Sequence, residues 1–211
     1  MNAAQIDLAL PAHNPFSATR VRPGQIPFRF AEGASVGQLT ARFQAAGCRG
    51  QIVGPHGSGK STLLATLLEA LRARQRRVTV FTLRNHERRL PAWPAWLRVP
   101  HTGGPPSIVA IDGYEQLSRW SAWRVVRFCR RNGHGLLVTT HRACKLPLLY
   151  ATRPELAAIL ELVTNLLPAG DNHVTPADVE VLFARHAPDV RETLFGLYRL
   201  YELRRRGLQR P

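Results

Sequence analysis

The nine residues Gly54-Pro55-His56-Gly57-Ser58-Gly59-Lys60-Ser61-Thr62 constrain the fold more than any other stretch of the chain. They satisfy the spacing G-x-x-x-x-G-K-[ST] of a phosphate-binding loop, the P-loop. The glycines free the backbone to turn its N–H groups inward as a nest for anionic oxygens. The nest needs a helix N-terminus aimed at the same point, and so a strand running in and a helix running out. Both flanks comply. Gln51-Ile52-Val53 is a short segment fit for a buried strand, and Leu63–Leu71 is rich in good helix formers. In that context Lys60 is placed to reach β- and γ-phosphates, and the Ser61 hydroxyl to ligate Mg²⁺. A chance glycine-rich turn would lack these flanks, so the stretch predicts binding of a nucleoside triphosphate.

A chain of 211 residues, 45% of them hydrophobic, suffices for one α/β domain with a proper core and a small appendage. No apolar run approaches the roughly 18 residues of a membrane span. The first residues, Met1–Asp7, have neither the basic start nor the apolar core of a signal peptide. The expectation is a cytoplasmic protein. The spacings of Cys48, Cys129 and Cys144 suit neither zinc nor a disulfide framework, so the thiols read as reduced. The net charge of +15 is compatible with a nucleic-acid partner. Lys60 and Lys145 are the only lysines, however, and the other 27 of the 29 basic residues are arginines, a bias that GC-rich codons alone would produce. The arginines cluster only at 74–77, 84–89, 127–131 and 204–206.

Along the chain, residues 1–33 hold Pro11, Pro15, Pro23 and Pro27 and read as an extended N-terminal arm anchored by Phe16, Phe28 and Phe30. Residues 34–152 read as the nucleotide-binding core. Ser35 caps a helix through about Ala46, and the P-loop helix ends near Arg74. Arg77–Leu83 is the second strand by its β-branched and aromatic content. Residues 84–106, with five prolines, Trp93 and Trp96, form a long irregular connection. Ser107-Ile108-Val109-Ala110-Ile111-Asp112 is the third strand. Its four apolar residues ending in a carboxylate match the Walker B pattern, which puts Asp112 beside the P-loop to hold Mg²⁺ through its water shell. Gly113–Leu117 is expected to open a helix running to about Arg131. Gly135–His141 is a fourth strand and 146–151 a short fifth, after which Pro154 starts a helix through Leu167. Two further helices, over 176–184 and 189–205, complete a helical, lid-like appendage spanning 153–211.

The order of Gly54–Ser61, then Asp112 ending one strand, then Thr139-Thr140 ending the next, resembles the ASCE division of P-loop NTPases, and within it the AAA-type ATPases. The resemblance covers residues 48–152. It implies a three-layer α/β sandwich with a mostly parallel sheet, in which an extra strand tipped by a polar sensor lies between the Walker A and Walker B strands. Thr140, nearer the tip than Thr139, is the expected sensor. Many members place a water-activating glutamate directly after the Walker B aspartate; here that place is Gly113. Glu115 is the first substitute and Glu87 a second, with His141 as a helper. Asp189-Val190-Arg191-Glu192 resembles the G-N-V-R-E stretch in the lid of some AAA-type activators, with aspartate in place of asparagine, which implies that Arg191 reaches the γ-phosphate. Arg142 is a further candidate.

The resemblance implies a Mg²⁺-dependent ATPase, using ATP, coupled to a protein or nucleic-acid partner and capable of homo-oligomer formation. Two other classes stay open on the residues. A small-molecule or nucleotide kinase would use the arginine-rich stretch 84–89 over an acceptor, and a non-hydrolysing nucleotide-dependent interaction module would fit the lack of a side chain at Gly113. No N-K-x-D guanine motif and no L-S-G-G-Q signature occurs, which removes a GTPase and a transporter ATPase.

Overall fold

The computed structural model describes residues 14–26, 28–30, 33–84, 87–91 and 106–207. Five strands, β1 (Arg49–Val53), β2 (Val78–Thr82), β3 (Ile108–Asp112), β4 (Gly135–Thr140) and β5 (Leu148–Ala151), form one sheet in the order β2-β3-β4-β1-β5. Every pairing is parallel. A parallel sheet must be covered on both faces, and its strands read as nearly continuous apolar runs. Ile108-Val109-Ala110-Ile111 and Leu136-Leu137-Val138 are such runs, and all seven are buried.

Strand alternation divides these residues between two cores. Ile108, Ala110, Leu137 and Ile52 face the helices α1 (Val36–Ala45) and α2 (Lys60–Ala73), meeting Leu39, Phe43, Leu63 and Leu67. Val109, Ile111, Leu136 and Val138 face the helix α3 (Arg119–Arg131), meeting Val125 and Cys129. The result is a three-layer α/β sandwich of the P-loop NTPase kind, with β4 inserted between the P-loop strand β1 and the aspartate-tipped strand β3. One buried polar residue, Gln51, ties the sheet to the loop before β5. Its Nε2 donates to the carbonyls of Cys144 and Leu146 at 3.0 and 2.5 Å, and its Oε1 accepts the Cys144 amide at 2.8 Å.

Three helices follow the sheet: α4 (Leu156–Leu166), α5 (Pro176–His186) and α6 (Val190–Arg205). They share a third core built on Ile159, Val163, Val179, Leu194 and Leu197, into which Phe16 of the N-terminal segment inserts. Phe28 and Phe30 instead pack edge-on against Tyr150 of β5, with ring centroids 5.8 and 5.9 Å away. Trp93 and Trp96 lie outside the described residues. No helix among the described residues is long and apolar enough to cross a membrane.

Two helix starts differ from expectation. The segment after Asp112 does not open α3 directly. Tyr114–Gln116 makes a single 3₁₀ turn and Leu117 is extended, after which Ser118 starts a new helix by accepting the Ser121 amide on its hydroxyl. Pro154 lies outside α4, whose cap residue is Glu155.

Candidate functional site

The P-loop lies between the C-terminal end of β1 and the N-terminus of α2. Gly59 is the residue before α2, in a left-handed conformation, and no side chain caps the helix behind it. The first-turn amides of α2 are therefore left without a side-chain acceptor, as a site for a phosphate requires. The loop is braced from below. The buried Ser58 hydroxyl donates to the Pro55 carbonyl at 2.9 Å and lies 2.6 Å from the Thr152 hydroxyl. Lys60 is also buried, and its ammonium donates to the Pro55 carbonyl at 2.5 Å. Burial pushes this ammonium below its ordinary pKa, while the carboxylates of Glu115 and Asp112 pull it back up. Lys60, Asp112 and Glu115 all line one cavity.

Asp112 ends β3 beside the loop. Its Oδ1 accepts a 2.5 Å hydrogen bond from the hydroxyl of Thr139, and the same hydroxyl oxygen accepts the Gly113 amide at 2.9 Å. Thr140 is elsewhere: its hydroxyl donates to the carbonyl of Arg142 at 2.8 Å. Thr139 is the threonine that bonds the aspartate, because Asp112 and Thr139 share the α2 face of the sheet whereas Thr140, the expected sensor, shares the α3 face with Leu136 and Val138.

Gly113 has no room for the glutamate that related motifs carry. Its φ is +83°, and a Cβ there would fall 2.9 Å from the Leu83 carbonyl oxygen. Glu115, on the 3₁₀ turn, reaches the site instead, with its Oε1 3.0 Å from Nε2 of His141. An ionised carboxylate only accepts, so Nε2 carries the hydrogen of this contact. The other ring nitrogen faces the Lys60 ammonium and the Gly54 carbonyl, each at 3.3 Å. His141 therefore bridges Glu115 to the P-loop, and its ring lies 4.4 Å from that of His56. Glu87 is not drawn in; its carboxylate accepts the Arg84 amide at 2.6 Å.

The start of α6 rests on the P-loop. The Val190 amide donates to the Gly57 carbonyl at 3.2 Å, and Asp189 caps α6 by accepting the amides of Arg191 and Glu192. Gly57 has a φ of +64°, and a Cβ on it would overlap Oδ1 of Asp189, so any larger residue here is strained and displaces that carboxylate. The charge of Arg191 is close enough to act on Lys60.

A cavity of about 1650 Å³ joins these parts. Lys60, Ser61, Asp112, Glu115, Thr139 and Arg191 all line it, and the aromatic rings of Phe28, Phe30 and Tyr150 form another part of its wall. No protein-family model matches the chain, and no curated protein matches it. Among solved structures it is similar to that of C. elegans PCH-2, at 11% identity over 81% of this chain and 68% of that one, with a TM-score of 0.41.

The donor set suits a hard cation. The Ser61 hydroxyl and the Asp112 carboxylate are oxygen donors lining one cavity, and Mg²⁺ takes one or two protein oxygens and fills the rest of its octahedron with water and phosphate. Among the described residues no group of three or more His, Cys, Asp or Glu side chains forms a closed metal cage.

Proposed function

We propose that the chain binds Mg-ATP on Gly54–Thr62 and hydrolyses it, with turnover altering the contact between the P-loop and α6. The observation that carries this reading is the convergence, in one cavity, of the Lys60 ammonium, the side-chain-free N-terminus of α2 and the Asp112 carboxylate. The amides of the loop and of the first turn of α2 bind the phosphate oxygens, and Lys60 leaves the Pro55 carbonyl to neutralise the β- and γ-phosphates. Asp112 and Ser61 would hold Mg²⁺, which when bound neutralises charge on the transferred group. Thr139 fixes the rotamer of Asp112. Glu115, oriented by His141, accepts a proton from the attacking water. Arg191 stabilises the charge of the transferred phosphoryl group from the α6 side.

Calorimetric titration with Mg-ATP and a phosphate-release assay test the proposal together. Binding is expected in the parent, with at least a tenfold loss of affinity in Lys60→Ala. Free phosphate is expected without any acceptor; phosphate appearing only when an acceptor is added indicates a kinase, and binding without release indicates a non-hydrolysing module.

A further inference from the structure

The outer face of α3 is not used by the nucleotide site, and its composition is unusual. Trp120 and Trp123 are 62% and 56% exposed. The guanidinium of Arg124 lies 4.6 Å from the Trp120 ring and that of Arg127 lies 5.5 Å from the Trp123 ring. Residues 120, 123, 124, 127, 130 and 131 follow helical spacing, so Trp120, Trp123, Arg124, Arg127, Arg130 and Arg131 form one stripe, and all are exposed. The opposite face, Ser121, Val125 and Cys129, is buried against the sheet. The helix contains no acidic residue, and among the described residues no carboxylate pairs with its arginines.

We propose that this stripe binds single-stranded nucleic acid, with the two indole rings as stacking platforms for unpaired bases and the arginines on the flanking phosphates. Unpaired bases present flat π-faces that stack on aromatic rings whatever their sequence, and the backbone supplies the negative charge that the arginines lack. A duplex hides its base faces. An acidic protein would satisfy the arginines but gives two exposed indoles no flat partner. A second copy of this chain, carrying the same net charge of +15, would be repelled. The proposal names a partner class for the ATPase reading, yet the surface stands apart from the P-loop and can be tested without it.

The test uses the full chain with Trp93→Phe and Trp96→Phe, so that of its four tryptophans only Trp120 and Trp123 emit. A labelled oligothymidylate 20-mer is titrated at low salt without nucleotide, reading anisotropy and tryptophan emission. The expected result is binding with quenching of both rings, and at least a tenfold loss of affinity in W120A/W123A with an unchanged circular dichroism spectrum and melting temperature. Arg124→Ala with Arg127→Ala is expected to reduce the slope of log affinity against log salt by about 1 to 1.5. Lys60→Ala is expected to bind the oligonucleotide as the parent does, so failure of the nucleotide reading leaves this result intact. The proposal is overturned if the parent does not bind, if W120A/W123A binds equally well, or if duplex DNA or polyglutamate binds as tightly as the single strand.

Discussion

The amide of Val190 donates to the carbonyl of Gly57 across 3.2 Å, so the first turn of α6 rests on the phosphate loop itself. The contact brings the Asp189 carboxylate with it, close enough that a Cβ on Gly57 would overlap Oδ1. A fixed negative charge beside a nest built for phosphate opposes triphosphate binding. Asp189→Asn keeps a side-chain oxygen for the α6 cap and removes the charge, restoring the asparagine of the lid stretch that the sequence resembles. Affinity for Mg-ATP is expected to rise by roughly fivefold, or about 1 kcal/mol, when measured by calorimetry. An affinity equal to or below the parent's shows that the carboxylate does not face the phosphates.

Thr139 serves both sides of a junction, donating to Asp112 and accepting the Gly113 amide. Thr139→Val keeps the shape and removes both hydrogen bonds. Leaving this half-buried amide unpaired costs about 1 kcal/mol, which urea unfolding would register as a lower midpoint. Mg²⁺-dependent phosphate release is expected to fall in parallel, and Thr139→Ser to recover both. Thr140→Val, which breaks only the bond to the Arg142 carbonyl, is expected to leave the Mg²⁺ dependence of release unchanged.

The P-loop, its strand and its helix were legible because local chemistry alone demands them: glycine at positive φ, a lysine after it, apolar runs on either side. Asp112 was legible for a similar reason, as a charge at the end of an otherwise buried strand. The partner of Asp112 was not. Leu136-Leu137-Val138-Thr139-Thr140 is buried along its whole length, so neither face is marked by polarity, and the parity that selects Thr139 emerges only once β4 is set beside β3. The seat of α6 on Gly57 was equally hidden, since it joins residues more than a hundred positions apart through a backbone bond that no side chain announces. The break between Gln116 and Arg119 was readable in part: Ser118 is a good cap, but it competed with a continuous helix-forming pattern that the extended backbone of Leu117 interrupts.

Glu115 and His141 form a pair at 3.0 Å, on the same side of the cavity as the Lys60 ammonium. If Glu115 accepts the proton of the attacking water, Glu115→Gln is expected to reduce phosphate release by about 10²-fold or more, with Mg-ATP affinity within a factor of about three of the parent. His141→Ala frees the carboxylate to rotate and is expected to give a smaller loss, of roughly tenfold. Single-turnover phosphate release distinguishes the two. Release by Glu115→Gln at the parental rate removes this residue from the chemistry.

Arg204 grips Asp178 with both arms of its guanidinium, at 2.6 and 2.9 Å, while the Thr175 amide and hydroxyl bond the same carboxylate. Burial raises the Asp178 pKa, but Arg204 and Thr175 outweigh it and hold the carboxyl below its ordinary value of 3.8. A group whose pKa is depressed in the folded state stabilises the fold fully above its unfolded pKa, and that contribution drains away as the pH falls through the folded value. At neutral pH, Asp178→Asn weakens the capping box of α5 and is expected to lower the melting temperature by about 3 °C, as a loss of about 1 kcal/mol would in a domain of this size. Because the parent loses its charge on acidification and the variant has none to lose, the gap between them should narrow steadily from pH 5 downward. Melting curves at pH 7, 5, 4 and 3 check this, and a gap that stays constant over that range would show that the clasp between α5 and α6 owes nothing to the ionised carboxylate.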